Sequence, residues 1–194
     1  MASAQRSFTA RHAGWDLRLH ASDVAVDLAA GAADAAIRYG AGRYPGLVSI
    51  PLIGDHFAPV CSPHLGIRRM SEMTRAPLIH FEWGPNASKV SVPSWRGWCE
   101  TSGLRGIDPD SGITFNDENS AIQAALAGQG VALLSLALVA AELESGALMQ
   151  PFGPVLKGLR YDLVYPIGAE QRPAIAALRD WMQGDVLPHL PQVD

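Results

Sequence analysis

The chain has 194 residues, 48% hydrophobic and 18% charged, the composition of a folded globular protein with room for one domain or two small lobes and a core that needs no staples. A formal net charge of −4 and a pI near 5.8 provide no clustered Lys and Arg for phosphate, so this chain alone is not expected to bind DNA. Cys61 and Cys99 lie far apart and in no CxxC spacing, which suggests neither a disulfide framework nor a zinc site and favours buried or half-buried thiols.

In chain order, Met1-Ala-Ser-Ala-Gln-Arg-Ser-Phe8 lacks the apolar run of a secretory signal, which points to the cytoplasm. Asp16–Ala21 alternates, Leu17 and Leu19 against Arg18 and His20, and predicts a strand. Ser22 and Asp23 offer N-cap oxygens to a helix over Val24–Ala30 that stops at Gly31, and a short strand over Asp34–Tyr39 runs into Gly40-Ala-Gly42. Strand, helix, strand favours a parallel pair joined by a right-handed crossover.

Leu47–Ile53 and Phe57–Cys61 are two further apolar runs, separated by Gly54-Asp55-His56 and leading into Ser62-Pro63, a helix-start pair. Pro77–Phe81 reads as a strand, and Ser94–Gly103 as a capped amphipathic helix with Trp95, Trp98 and Cys99 on one face. That tryptophan stripe fits a core better than a cofactor site. Gly112–Phe115 predicts a strand, Asn116–Ala127 a helix and Val131–Leu134 a buried strand, a second βαβ unit. Ala137–Ser145 reads as a helix, Leu148–Phe152 crosses back, Tyr161–Tyr165 is a strand, and Pro173–Met182 is a closing helix before a tail marked by Pro188 and Pro191. Ala121–Ala141 carries no charge, but Gln123, Gln129 and Gly128-Gln-Gly130 divide it and its flanks are acidic, so it reads as helix, turn, strand and helix, with no membrane span.

Signatures of catalysis are missing from the sequence. The six histidines have no metal-ligand spacing, and there is no GxSxG, Walker or GxGxxG pattern, so no metal, cofactor or enzymatic activity is expected. Asp55, Asp117 and Glu118 have no sequence partner, and solvated caps are their expected role.

Several segments taken together resemble the effector-binding domain of LysR-type transcriptional regulators, with the nearest likeness to the glycine-cleavage-activator subgroup. They are Asp16-Leu-Arg-Leu-His-Ala-Ser22, Val26-Asp-Leu-Ala-Ala-Gly31, Asp34-Ala-Ala-Ile-Arg-Tyr-Gly40, Arg43-Tyr-Pro-Gly-Leu47 and Pro59-Val-Cys-Ser-Pro63. The likeness continues through Trp95–Leu104, Phe115–Ala125, Gly128–Leu133, Gly146–Phe152 and Tyr161–Pro166. Their order and spacing carry it, and they cover nearly the whole chain.

The resemblance implies an α/β fold of the two-lobed type-2 periplasmic-binding-protein kind, with a ligand cleft between the lobes. The first lobe would comprise 1–60 and 151–194 and the second 61–150, with no DNA-binding domain. It implies a small organic effector, such as an amino acid, an organic acid or a cell-wall fragment, and a homodimer. DNA would be reached only through a helix-turn-helix outside this stretch. Carried over position by position, the ligand-binding residues would be Ser22 at a helix start, Arg38, Tyr39 and Gly40 at a strand end, Trp83 as an aromatic wall, Glu118 and Asn119 at a helix start in the second lobe, and Tyr161 on the returning strand.

Two departures qualify that expectation. The family's first strand and the Ser/Thr-bearing helix start after it precede the point where this chain begins, so the first lobe is expected to lack a strand and to expose an unpaired edge. Glu118 and Asn119 stand where the subgroup has small hydroxyl residues, and a carboxylate there disfavours a strongly anionic effector unless Arg38 neutralises it. A solute-binding protein of a transporter and a regulator fragment that no longer binds effector are the alternatives, and an enzyme on the same scaffold is a more remote one.

Overall fold

A computed structural model describes residues 2–22, 24–83 and 92–189. The chain forms two compact units, one of Met1–Gly54 with Arg160–Asp194 and the other of Asp55–Leu159. Two long strands carry the chain from one unit to the other. They are β2 (Leu47–Val60) and β6 (Leu156–Pro166), and the strand order is β1-β6-β2-β5-β3-β4.

In the first unit, β1 (Ala36–Gly40) pairs antiparallel with β6, which puts Arg38 opposite Asp162 and Tyr39 opposite Tyr161. The core lies under Leu163 and Tyr165 of β6, where α1 (Ala2–Arg11) contributes Phe8 and α5 (Pro173–Trp181) contributes Ile175 and Trp181. Phe8 meets Trp181 edge-on at 5.5 Å, and the Trp181 indole donates to Ser7 Oγ at 3.2 Å. Pro173 opens α5 at a position where its missing N–H costs nothing.

The beginning of this unit departs from the sequence expectation. Asp16–Ala21 is not a strand and Val24–Ala30 is not a helix. A strand exists only as one side of a ladder, and none of the described residues pairs with 16–21. The predicted helix is seven residues long and contains two β-branched valines, too short to pay for nucleation without packing. Asp27 Oδ1 instead accepts the N–H groups of Ala29 and Ala30 at 2.9 and 3.1 Å, a local turn that competes with helix. The predicted parallel crossover of this unit is therefore replaced by an irregular segment leading into β1. Asp23 lies outside the described residues.

In the second unit β2 runs antiparallel to β5 (Val131–Ser135), β5 parallel to β3 (Leu78–Phe81), and β3 parallel to β4 (Ile113–Phe115). Helix α3 (Glu118–Leu126) connects β4 to β5, so the second predicted βαβ unit forms. Ala121, Ile122, Ala124 and Ala125 of α3 pack on Val60, Ile79, Ala132 and Leu134. Helix α2 (Trp95–Ser102) has the predicted caps, Ser94 Oγ accepting from Gly97 N and Gly103 taking the left-handed conformation at φ 68°. Trp95 and Trp98 are both buried and meet edge-on at 5.7 Å, as a core stripe.

Gly54-Asp55-His56 does not interrupt β2, because the His56 carbonyl accepts the Leu136 N–H at 2.8 Å and keeps the ladder going. The predicted helix over 137–145 is shortened to α4 (Ala140–Glu144), and β6 begins before the predicted Tyr161. Pro188 lies in a closing turn over Leu187–His189, and Pro191 is outside the described residues. Among the described residues no helix is long and apolar enough to cross a membrane.

Candidate functional site

Because side chains alternate along a strand and directly opposed residues share a face, the β1–β6 register divides the candidates of the first unit. Arg38 and Gly40 lie with Asp162 and Arg160 on one face, while Tyr39 and Tyr161 lie together on the other, their rings 5.0 Å apart and tilted by 53°. Arg38 Nη2 donates to the Val26 carbonyl at 2.7 Å, and its guanidinium sits 5.5 Å above the Tyr44 ring. Arg38 thus ties the irregular segment to the face that carries Asp162. The Tyr44 hydroxyl donates to the Arg38 carbonyl at 3.4 Å, and its oxygen occupies the space a Cβ at Gly40 would need. Burial raises the Tyr44 phenol; the Asp162 charge adds to the rise, and Arg38 and Arg160 oppose it.

Ser22 stays exposed, and its hydroxyl closes a small turn with Val24, donating to its carbonyl and accepting its N–H, each at 3.1 Å. It begins no helix, so the expected helix N-terminus is not there to hold an anion.

In the second unit Asp117 is the N-cap of α3, accepting Ser120 N at 2.9 Å and Ser120 Oγ at 2.6 Å, which matches the capping role expected of it. Those bonds, the hydroxyl's first, hold its carboxyl below the usual range. Asn119 is exposed at the second position of the helix. Glu118 is not a solvated cap. Its side chain turns in toward β5, where Oε1 accepts Ser135 N at 2.8 Å. Burial pushes its carboxyl up to about 7, the Ser135 N–H opposes the rise, and the charge of Asp55 adds to it. Asp55 is 1% exposed, likewise no solvated cap, and its Oδ1 accepts Ser135 Oγ at 2.9 Å and His56 N at 2.8 Å. Ser135 therefore joins two carboxylates from β2 and α3. Trp83 packs between Phe57 and Phe81, ring centroids 5.4 and 5.0 Å away, and its indole donates to the Pro93 carbonyl at 3.3 Å. With Ile79, Phe81 and Trp95 it lines a cavity of about 270 Å³.

Among the described residues no group of His, Cys, Asp or Glu is arranged to hold a metal ion. Cys61 is buried and its thiol is raised by burial to about 11, and Cys99 is half-buried. Neither is poised as a nucleophile.

The family model for the LysR substrate binding domain matches residues 1–186. The chain belongs to that family. It is 33% identical to the glycine cleavage system transcriptional activator of Escherichia coli K12 over 91% of this chain and 57% of that protein. It is 29% identical to the transcriptional activator AmpR of Rhodobacter capsulatus over 92% and 59%. The chain thus spans less than two thirds of the length of these relatives. The solved effector domain of AmpR from Pseudomonas aeruginosa superposes with a TM-score of 0.73 at 27% identity, covering 93% of this chain and 85% of that one. The fold of this LysR domain is accordingly the two-lobed, type-2 periplasmic-binding-protein-like α/β fold. Its relatives are regulators of transcription, not enzymes.

Sequence reasoning passed over Tyr44, Ser135, Arg160 and Asp162. Asp162 left one legible trace, a lone acid inside the apolar strand Tyr161-Asp-Leu-Val-Tyr165. Ser135 left none, since its partner Asp55 is 80 residues away.

Proposed function

We propose that this chain is the effector-sensing module of a LysR-type transcriptional regulator: it binds a small organic molecule, and in the whole regulator that binding governs transcription. The family match over residues 1–186 carries this reading. On this reading the module works in the cytoplasm as a homodimer, needs no cofactor, and reaches DNA only through a helix-turn-helix region distinct from the sensing fold.

Within the module, the effector contacts are assigned to Ser22, Arg38, Tyr39, Gly40 and Tyr161 in the first unit, and to Trp83, Glu118 and Asn119 in the second. The polar ends of β1 and α3 support this, because an open α/β sheet receives ligands where strand ends and helix starts meet. A carboxyl that titrates near 7 at Glu118 favours an effector with a neutral or cationic group on that unit.

The test is a thermal-shift screen of the purified chain against amino acids, organic acids and muropeptides, since a ligand of the native state raises the melting temperature by mass action. A reproducible rise that Glu118→Ala reduces supports the reading. A cooperative melt that no compound moves removes it and leaves a regulator fragment without sensing.

A further inference from the structure

The face of β1 and β6 that carries Arg38 also carries Arg160, whose placement differs. Asp162 is fully buried, at 0% exposure, and a carboxylate so placed demands a cation. Arg38 stands directly opposite it in the register but spends Nη2 on Val26 and stacks on Tyr44. The countercharge comes instead from Arg160, two residues before Asp162 on the same face, whose Nε lies 2.9 Å from Oδ1 and 3.2 Å from Oδ2. The Arg160 guanidinium also rests directly on the backbone at Gly42, where φ is +76° and a Cβ would collide with Nη2 and Cζ.

A planar group held at Nε by a buried carboxylate and packed at Nη2 and Cζ against a glycine backbone has little freedom left. Its Nη edge remains. No hydrogen bond among the described residues occupies that edge, and the side chain is 42% exposed. Two guanidiniums and one carboxylate leave this face with a surplus of positive charge, and the raised phenol of Tyr44 adds none of the opposite sign. Arginine presents paired N–H groups that match a carboxylate two-for-two, and a pre-oriented fork loses little rotamer entropy on binding.

We propose that Arg160, oriented by Asp162 and seated on Gly42, is the group of the first unit that takes the carboxylate of a small organic anion. This rests on the sensing role proposed above and names the ligand chemistry for one of its units. Asp162 is a positioning residue: it touches Arg160 and sets the direction of the fork.

The experiment is an NMR titration of the whole chain uniformly labelled with ¹⁵N, read on the Arg160 Nε–H and, in variants that lack it, on the adjoining Gly42 amide, adding sodium acetate and, separately, neutral acetamide at constant ionic strength. Acetate is expected to move the Arg160 Nε–H signal saturably, and acetamide to leave it in place. Arg160→Lys, which keeps the charge and loses the fork, is expected to weaken acetate binding by about tenfold, the scale of one charge-assisted hydrogen bond. Asp162→Asn is expected to weaken it while keeping Arg160 itself. Arg75→Met, on an exposed arginine of the other unit, is expected to leave it unchanged. A wild-type signal that acetate does not move, an equal response to acetamide, or full binding in Arg160→Lys overturns the assignment. A chain that responds in the thermal screen only to amines or neutral sugars also overturns it while the sensing role stands. A saturable acetate response at Arg160 beside a silent thermal screen does the reverse.

Discussion

Glu118 and Ser135 are joined by a hydrogen bond of 2.8 Å that runs from the last residue of β5 to the first residue of α3, backbone N–H to carboxylate. The Ser135 hydroxyl goes the other way, to Asp55, so one residue serves two acids. Burial of Glu118 raises its carboxyl from 4.5 to about 7. A carboxyl raised on folding leaves its stabilisation complete below its unfolded value and loses it as pH rises through the folded one. The window is therefore pH 4.5 to about 7, and the loss across it is of order 3 kcal/mol at about 1.4 kcal/mol per pH unit. Urea midpoints are expected to fall between pH 5 and pH 8, and Glu118→Gln, which keeps the acceptor and cannot ionise, to flatten the fall and stabilise the chain at pH 8. An unchanged slope in that variant would show that Glu118 is not the group responsible.

Much of the second unit was legible in the sequence because its signals are local. Ser94 and Gly103 bracket α2, Asp117 caps α3, and the apolar run at Val131 is buried throughout. The first unit was less legible, since whether Asp16–Ala21 becomes a strand depends on a neighbour and not on its own alternation. The site was divided in the same way. Glu118 is at a helix start as predicted, but its approach to Asp55 depends on tertiary packing. The separation of Arg38 from Tyr39 follows from strand geometry once the register is fixed, and the register was not readable.

Ser135→Ala removes the hydroxyl that Asp55 Oδ1 accepts, and the acceptor that Leu138 N reaches at 3.2 Å. A buried acceptor stripped of its donor costs about 1–3 kcal/mol. The Asp55 carboxyl, already raised by burial and held back first by that hydroxyl, is expected to rise further. Chemical denaturation at two pH values checks both: a larger destabilisation at pH 8 than at pH 5 is the expected sign, and an equal loss at both would count against it.

Gly153 has φ +95°, and a Cβ there would collide with the Trp98 indole. Trp98 cannot yield easily, being fully buried with its Nε1 donating to the Pro154 carbonyl at 2.9 Å. Gly153→Ala is expected to cost about 1–3 kcal/mol from overpacking, and more from the backbone conformation. Gly54→Ala is the matched control, with nothing within 4 Å of its would-be Cβ, and is expected to be near neutral. Thermal melts of the two variants side by side decide it.

The alternating segment Asp16–Ala21 and the apolar run Val131–Ser135 provide the sharpest test of what makes a strand in this chain. Both have the residues for it, yet among the described residues only the second has neighbours on both sides, β2 and β3. Amide exchange reads this difference directly, because a ladder hydrogen bond must open before its N–H exchanges and an unpaired N–H exchanges at once. Amides of Asp16–Ala21 are expected to exchange within the dead time of the experiment, and those of Val131–Ser135 to be slowed by orders of magnitude. Leu17, half-buried at the edge of the first unit's core, sets the limit of any protection in the first segment. Slow exchange along the whole of Asp16–Ala21 would mean that it has found a strand partner in solution, and that the irregular conformation gives way to the one its alternation predicts.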